Sequence, residues 1–415
     1  MSDPIILARA IHFAATILAA GTVCFIVLVA EPACGGAKIP SGLRRRLAIM
    51  TWAAIAVAIA SGALWLALLA ADIYGAPLVE VCLHGGLWQV QTETRFGEVW
   101  SGRLLAALLL AALLPWRHLR WLHLAAAAAL LAPLALIGHA GATPDILGQL
   151  HIVSDAIHLI AAGAWLGALP ALALLLTGSR QPPKLAPRAA ARFSTLGVAS
   201  VAALLATGLI NSWMLLSSPR DLIATDYGRL LALKIGLFAA MLAIAAVNRF
   251  HLTPRLERAG ARRALARNSL AETALGAGVL LLVGALGSME PASHHHLPPL
   301  DIPEDAAFVH IHSEQAMVDV LINPGRAGPA TASIRVMNED SSEFPADAVR
   351  LGLEPPTPGG QAIDRAALQQ ADGTWQVGGL TLDAGGNWTV RVTIAVPRGQ
   401  PVVLDAPVVI APARR

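Results

Sequence analysis

Three residues with metal-binding side chains recur at helical spacing in one apolar segment of the chain. His151, Asp155 and His158 are separated by four and then three residues. At about 100° per residue, this spacing places all three side chains on one narrow stripe of an α-helix. Two imidazoles and a carboxylate on such a stripe could bind a metal ion, or Asp155 could orient a ligating histidine. The alternative is a hydrogen-bonded stripe between two helices that holds no ligand.

Further candidate ligands are expected at a similar depth in neighbouring apolar segments. His12 lies about two turns into the first of them, and His139 closes the fourth. Ionisable groups within a membrane are costly and are therefore functional candidates. Met214 and Met289 also lie near the ends of apolar segments. Thioether and imidazole ligands together would suit Cu(I), although each methionine alone is more typical of a packed core.

Two charged residues in the later segments have simpler explanations. Lys234, in the seventh segment, is expected to extend its ammonium group to the membrane interface, and a pairing with Asp155 is the alternative. Glu272 follows Arg263 and Arg267 closely in the sequence. We therefore expect Glu272 to form a structural ion pair.

A second candidate metal site lies near the C-terminus of the chain. His310 and His312 alternate on a predicted strand, so their side chains face the same way. With Met317, or with the three histidines at 294–296, they could capture a metal ion. A pair of surface histidines is otherwise simply solvated.

The first candidate site belongs to a strongly apolar region. Hydrophobic types make up 55% of the 415 residues and charged types only 14%, which excludes a disordered chain and an ordinary cytosolic enzyme. A membrane-spanning helix needs about 20 mostly apolar residues. Eight segments qualify: 5–30, 44–71, 99–116, 121–140, 150–177, 191–217, 229–250 and 270–290.

The basic residues of the short loops predict how these helices are oriented. Sixteen Lys and Arg residues follow segments 1, 3, 5 and 7, whereas the opposite loops hold three. Cytoplasmic loops carry such an excess of positive charge. Both termini are therefore expected on the periplasmic side of a bacterial inner membrane, with the histidines of segments 1, 4 and 5 near that face. Topology explains the basic loops, so no nucleic-acid partner is expected.

The last 125 residues have a different composition. Their net charge is −6, against +9 for residues 1–290, and about seven short β-rich runs are separated by turn signals. This is the size of an immunoglobulin-like β-sandwich. The predicted organisation is a membrane domain of about eight helices over 1–290, a His- and Pro-rich linker over 291–300, and a periplasmic all-β sandwich over 301–415.

The sequence of the fifth segment also resembles a known family. Residues 154–167 read Ser-Asp-Ala-Ile-His-Leu-Ile-Ala-Ala-Gly-Ala-Trp-Leu-Gly and resemble the central motif of the copper resistance protein CopD family. Similar blocks follow in the same order at 192–194, 206–211, 227–231 and 248–250. The resemblance is close over about 138–290 and looser before it, and the tail is similar to a β-sandwich appended to some members. By position, His158 and Trp165 match the motif, whereas the other candidate ligands follow from depth and helical face.

The resemblance implies an integral inner-membrane protein of copper homeostasis that is not an enzyme. Its expected partners are copper ion, membrane lipid, and a periplasmic copper chaperone or cuproprotein. Outer-side histidines would bind the copper, which is then transported across the membrane or delivered. Two alternatives stay open. One is a haem-binding redox protein with His12 and His158 as axial ligands, and the other is a membrane-anchored assembly factor.

Overall fold

The structure is a computed structural model in which the chain forms two compact units, Met1–Ala292 and Ser293–Arg415. The first unit is helical and the second is all-β. The described residues are 4–83, 85–137, 145–178, 182–216, 218–289, 302–303, 305–313, 316–338, 344–356, 362–397 and 400–413, with only the backbone of 145, 146 and 312.

Among the described residues of the first unit, eight long helices have the length and composition to cross a membrane. A continuous helix satisfies its own backbone hydrogen bonds, which lipid cannot do. Each of the eight predicted segments coincides with one of these helices. All eight helices begin before the predicted start, because they continue into polar residues, whereas the third, fourth, sixth and eighth end two to four residues before the predicted end. The helices are α1 Pro4–Ala33, α2 Ser41–Tyr74, α3 Arg95–Leu113, α4 Arg117–Leu136, α5 Leu147–Thr177, α6 Leu185–Leu215, α7 Asp226–Arg255 and α8 Ala259–Leu286.

Several of these helices change their hydrogen-bonding pattern along their length. α1 is π-helical over Phe25–Ala30, and α7 is π-helical over Asn248–Leu252. α5 tightens to a 3₁₀ turn over Leu166–Ala168, just before Pro170. Proline lacks the N–H that would continue the α-helical pattern. Single π-turns are frequent at functional sites, so the π-helical segment of α7 is a candidate for a functional role.

Glycines allow α1 and α5 to approach closely where they cross. Gly21 of α1 lies against Gly163 and Gly167 of α5, and Gly167 lies against the carbonyl group of Ile17. A Cβ atom added at Gly21 or Gly167 would overlap backbone atoms of the facing helix. Small residues are the general means by which helices pack in lipid, where no hydrophobic force drives them together. This crossing fixes the helix that carries the predicted metal-binding stripe.

The second unit consists of two antiparallel sheets that enclose one apolar core. Trp388 lies in this core with 1% of its surface exposed, and its indole N–H donates to the carbonyl of Ala384 at 3.0 Å. The sheets have the orders β1-β2-β3-β7-β6 and β5-β4-β8-β9. The strands are β1 Ala307–His312, β2 Met317–Asn323, β3 Gly328–Met337, β4 Ala348–Glu354, β5 Ile363–Ala366, β6 Leu368–Gln369, β7 Trp375–Leu382, β8 Gly386–Ala395 and β9 Val402–Ile410.

The predicted all-β character of the C-terminal unit is confirmed, with two strands more than the sequence indicated. The seven predicted runs correspond to β1–β4 and β7–β9. The additional strands, β5 and β6, are short and largely exposed. They lack the apolar alternation by which a half-buried strand is recognised.

Candidate metal site

His158 lies between α5 and α6, where a hydroxyl group orients its ring. Its Nδ1 is 2.9 Å from Oγ1 of Thr207. Thr207 donates its own proton to the carbonyl of Ala203 at 2.6 Å, so its oxygen is left to accept from Nδ1–H of His158. A proton on Nδ1 leaves the lone pair on Nε2. A hydrogen bond from the second ring nitrogen is the usual way to set the tautomer of a metal-ligating histidine.

Asp155, one turn earlier on α5, is joined to α6 by an amide. Asn211 donates its Nδ2 to Oδ1 of Asp155 at 3.1 Å, and Ser154 donates its hydroxyl to Oδ1 of Asn211 at 2.7 Å. Both ends of the amide are thereby used, which fixes its orientation. The predicted stripe therefore forms hydrogen bonds between α5 and α6, as expected for a stripe without a ligand. The same contacts also hold His158 in a tautomer whose Nε2 could bind a metal ion.

α7 brings a cation to the same cluster. Lys234 interacts electrostatically with both Asp155 and His158, and Tyr227 interacts with Asp155. The two groups influence each other electrostatically, but no ion pair between Lys234 and Asp155 is formed among the described residues, so neither expectation for Lys234 is confirmed. A nearby ammonium group offsets the cost of a carboxylate at this depth. It also opposes the entry of a second cation.

His151 lies one turn before Asp155 and is buried, with 3% of its surface exposed. Seven residues separate it from His158, which corresponds to about 10 Å along the helix axis. The two imidazoles therefore lie at successive depths rather than around one ion. Asp155 lies between them.

His12 belongs to a different group of side chains, formed with α2 and α3. Its Nδ1 is 2.9 Å from the carbonyl oxygen of Ala58, and its Nε2 is 2.7 Å from Nη1 of Arg103. A carbonyl only accepts and a guanidinium only donates, so Nδ1 carries the proton and Nε2 is the acceptor. Both ring nitrogens are engaged. His12 can offer a lone pair to a metal only in a state in which Arg103 withdraws.

Arg103 is the centre of this second group. It is 1% exposed and donates Nε to the carbonyl of Leu130 at 3.1 Å. The rings of Trp65 and Trp100 enclose the neighbouring histidine, His12, at centroid distances of 5.8 and 5.7 Å. Arg103 is not among the residues that the sequence patterns singled out. The signal that could have found it is a lone arginine within an apolar helix, which requires buried partners.

The remaining predicted ligands lie elsewhere or outside the described part. His139 lies outside the described residues. In the β unit, Nδ1 of His310 donates to Oδ1 of Asp319 at 2.7 Å. The backbone of His312 pairs with Met317, and the side chain of His312 is outside the described residues.

Within the first unit, the described predicted ligands belong to two groups, one around His12 and one on α5, rather than to one preformed centre. Across the described residues, no three His, Cys, Asp or Glu side chains come close enough together to hold a metal ion. The α5–α6 group therefore offers ligands one or two at a time.

The prediction that Glu272 forms an ion pair is wrong. Glu272 is 2% exposed and accepts a hydrogen bond from Nδ2 of Asn248 at 3.1 Å. Arg263 and Arg267 are exposed. They precede Glu272 by nine and five residues, so they project about 180° and 140° away from it around the helix.

Eight apolar helices that enclose a cluster of ionisable side chains define a polytopic membrane protein. Two family models identify the kind of membrane protein. The model of copper resistance protein D matches residues 187–286, and the model of the copper resistance protein D-like N-terminal domain matches residues 1–149. The chain belongs to the copper resistance protein D family. This confirms the resemblance found at the fifth segment, which lies largely between the two matched ranges.

Three relatives show how much of the family is shared. The chain is 29% identical over 272 residues to copper transport protein CutJ of Bacillus subtilis (63% of this chain, 47% of that one). It is 32% identical over 210 residues to inner membrane protein YebZ of Escherichia coli (49% and 72%). It is 33% identical over 174 residues to copper resistance protein D of Pseudomonas syringae pv. tomato (39% and 56%). The match thus spans about half the length of CutJ, and no solved structure matches the chain.

Proposed function

We propose that the chain is an inner-membrane copper protein, and not an enzyme, that accepts copper at His158. It then transports the ion across the membrane or delivers it to a cuproprotein or periplasmic copper chaperone. The observation that carries the proposal is the hydrogen bond from Nδ1 of His158 to Thr207, which leaves Nε2 as a ligand. Imidazole nitrogen is a suitable ligand for copper. The names of the relatives support copper as the cargo.

The position of the cluster along the helices supports entry from the periplasm. His158 lies near the start of α5, Thr207 near the end of α6, and Lys234 near the start of α7. These ends adjoin the loops that are poor in Lys and Arg, which the charge bias assigns to the outer side. His12, near the start of α1, lies at the same end of the bundle. Both groups thus face the compartment from which copper would arrive.

Successive depths suggest the order of events. Copper first meets His151 and Asp155 and then moves one turn deeper to His158. The pair His310 and His312 collects the ion before it reaches the helices. His12 enters the path only after Arg103 has released its Nε2.

Replacing Thr207 by valine tests whether the hydroxyl prepares His158 for copper. Thr207→Val preserves the shape of the side chain but removes the acceptor, and partners of this kind change metal affinity by about 10- to 100-fold. We expect Cu(I) affinity to fall by about tenfold or more, measured by competition with a chelator in detergent. Thr195→Val is the matched control, since Thr195 is exposed on the same helix and also donates to its own backbone, at Ala191. Equal affinity of both variants would contradict the role of Thr207.

Haem binding gains no support from the contacts of the two proposed axial ligands. The described hydrogen-bond partners of His12 come from α2 and α3, and that of His158 comes from α6. Arg103 already occupies Nε2 of His12. A Soret absorption band in the purified protein would favour haem over copper.

A further inference from the structure

A buried carboxyl group lies in the half of the bundle opposite to the histidines. Glu272, at the middle of α8, has one oxygen, Oε2, that accepts a hydrogen bond from Asn248. Its other oxygen, Oε1, is inaccessible to solvent and has no hydrogen-bond partner among the described residues. A carboxylate in this position, without an ion pair, would be strongly destabilised. Some cation must therefore neutralise Glu272.

The neighbouring amides indicate which cation fits. Asn268 donates Nδ2 to Oδ1 of Asn248 at 2.8 Å, and Asn248 in turn donates Nδ2 to Glu272 at 3.1 Å. The amide therefore presents N–H, not oxygen, to the carboxyl group. A hard metal ion would need several oxygen ligands, and copper would need imidazole or sulfur. A proton needs neither, so it is the cation that this site fits.

The backbone of α7 is adapted to this contact. Asn248 is the first residue of the π-helical turn Asn248–Leu252, and Thr253 donates its hydroxyl to the carbonyl of Asn248 at 2.8 Å. The wider turn shifts the helix register at the residue that contacts Glu272. Its coincidence with a buried ionisable contact is typical of a π-turn retained for function.

Asn248 also borders a cavity of about 330 Å³. The described residues that line this cavity are mostly apolar, and Glu272 is not among them. Apolar cavities exclude water, which favours the neutral form of the neighbouring carboxyl group.

The charged groups on the helices packed against α8 do not neutralise Glu272. At the inner end, Arg249 donates to Ser194 and Glu31 contacts Arg117. At the outer end, Arg9 donates to Gly284. No ion pair with Glu272 occurs within the described ranges. The charged and titratable residues of these helices are Arg9, His12, Cys24 and Glu31 of α1, Asp226, Tyr227, Arg229, Lys234, Arg249, His251 and Arg255 of α7, His151, Asp155 and His158 of α5, and Arg262, Arg263 and Arg267 of α8 itself.

We propose that Glu272 is a proton-binding site in the inner half of the bundle and is neutral at rest. The proton stays on the carboxyl group because no other cation fits the contacts around it. The proton at Glu272 does not depend on the proposed copper function.

Infrared spectroscopy of the full chain in lipid nanodiscs tests the proton directly. We expect the wild type at neutral pH to show the C=O stretch of a protonated carboxyl, which Glu272→Gln removes from the difference spectrum. Glu257→Gln, an exposed carboxyl near the same end of the bundle, should leave this band unchanged. Because Gln could disturb packing, Glu272→Asp is a second variant that should shift the band without abolishing it. An identical band in wild type and Glu272→Gln would overturn the proposal, as would loss of the wild-type band on adding Na⁺ or K⁺.

Copper binding separates this proposal from the proposed function. Glu272→Gln should bind Cu(I) with the same affinity as the wild type, measured by chelator competition. Weaker copper binding by Glu272→Gln would place Glu272 in the copper site and contradict its assignment to a proton. If the wild type failed to bind copper while the infrared band persisted, the copper function would fail and the proton site would stand.

Discussion

Replacing His158 by alanine is expected to abolish high-affinity copper binding by the purified protein. Nε2 of His158 is the proposed ligand, and its lone pair is left free by the hydrogen bond of Nδ1 to Thr207. Removing the imidazole should therefore weaken Cu(I) binding more than loss of the orienting partner does. That places the expected decrease at about 100-fold or more, beyond the effect typical of supporting residues. The measurement is chelator competition under reducing conditions, with the copper content of the protein determined in parallel.

Two other histidine variants make this result specific. His251→Ala removes an exposed histidine from the inner end of α7 and should leave copper affinity unchanged. His12→Ala should have a smaller effect than His158→Ala, because Arg103 holds Nε2 of His12 in the resting state. Wild-type affinity in His158→Ala, or an equal loss in His251→Ala, would contradict the assignment of His158.

Replacing Gly167 by alanine is expected to prevent the bundle from assembling. The added Cβ would overlap the carbonyl group of Ile17, and backbone atoms cannot yield as a flexible side chain can. Overpacking in protein cores commonly costs about 1–3 kcal/mol, and occasionally more. Since relief here requires whole helices to separate, we expect an effect at or above the upper end of that range. Gly21→Ala, on the facing helix, should behave alike.

Thermal stability in detergent, followed by size-exclusion chromatography, measures this effect. Gly236→Ala is the matched control, since Gly236 lies in α7 and a Cβ built on it meets no atom within 4 Å. We expect Gly236→Ala to resemble the wild type and Gly167→Ala to yield little folded protein. A Gly167→Ala protein as stable as the control would show that the close approach of α1 and α5 does not hold the bundle together.

The helices were predictable because membrane insertion depends on properties that are local in sequence. An apolar stretch of sufficient length predicts a spanning helix by itself, so the boundaries of α1 and α5 were close. The π-turn at Asn248 and the 3₁₀ turn at Leu166–Ala168 were missed. They depend on packing between helices, which periodicity within one helix does not record.

The candidate site was only half predictable for the same reason. Helical spacing placed His151, Asp155 and His158 on one face, but Thr207 and Asn211 became relevant only when α6 packed against that face. Depth in the membrane likewise suggested that His12 would lie near His158. The structure gives the two histidines separate partners, because depth specifies a position along the membrane normal and not the lateral order of helices.

The ion pair predicted for Glu272 was wrong because residues close in sequence were taken to be close in space. Arg267 is only five residues away, yet the helix turns it to the exposed side while Glu272 faces Asn248. In the β unit, the strands β5 and β6 were missed because their residues are mostly exposed. In both cases the structure depends on contacts with other parts of the chain, which the local residue pattern does not show.

X-ray absorption spectroscopy at the copper edge, on copper-loaded protein in lipid, tests most directly whether His158 binds copper. For the wild type we expect nitrogen ligands with the multiple-scattering pattern of imidazole, and we expect that pattern to be lost or strongly reduced in His158→Ala. Copper coordinated only by sulfur, or an imidazole pattern unchanged by the substitution, would contradict a copper site at His158.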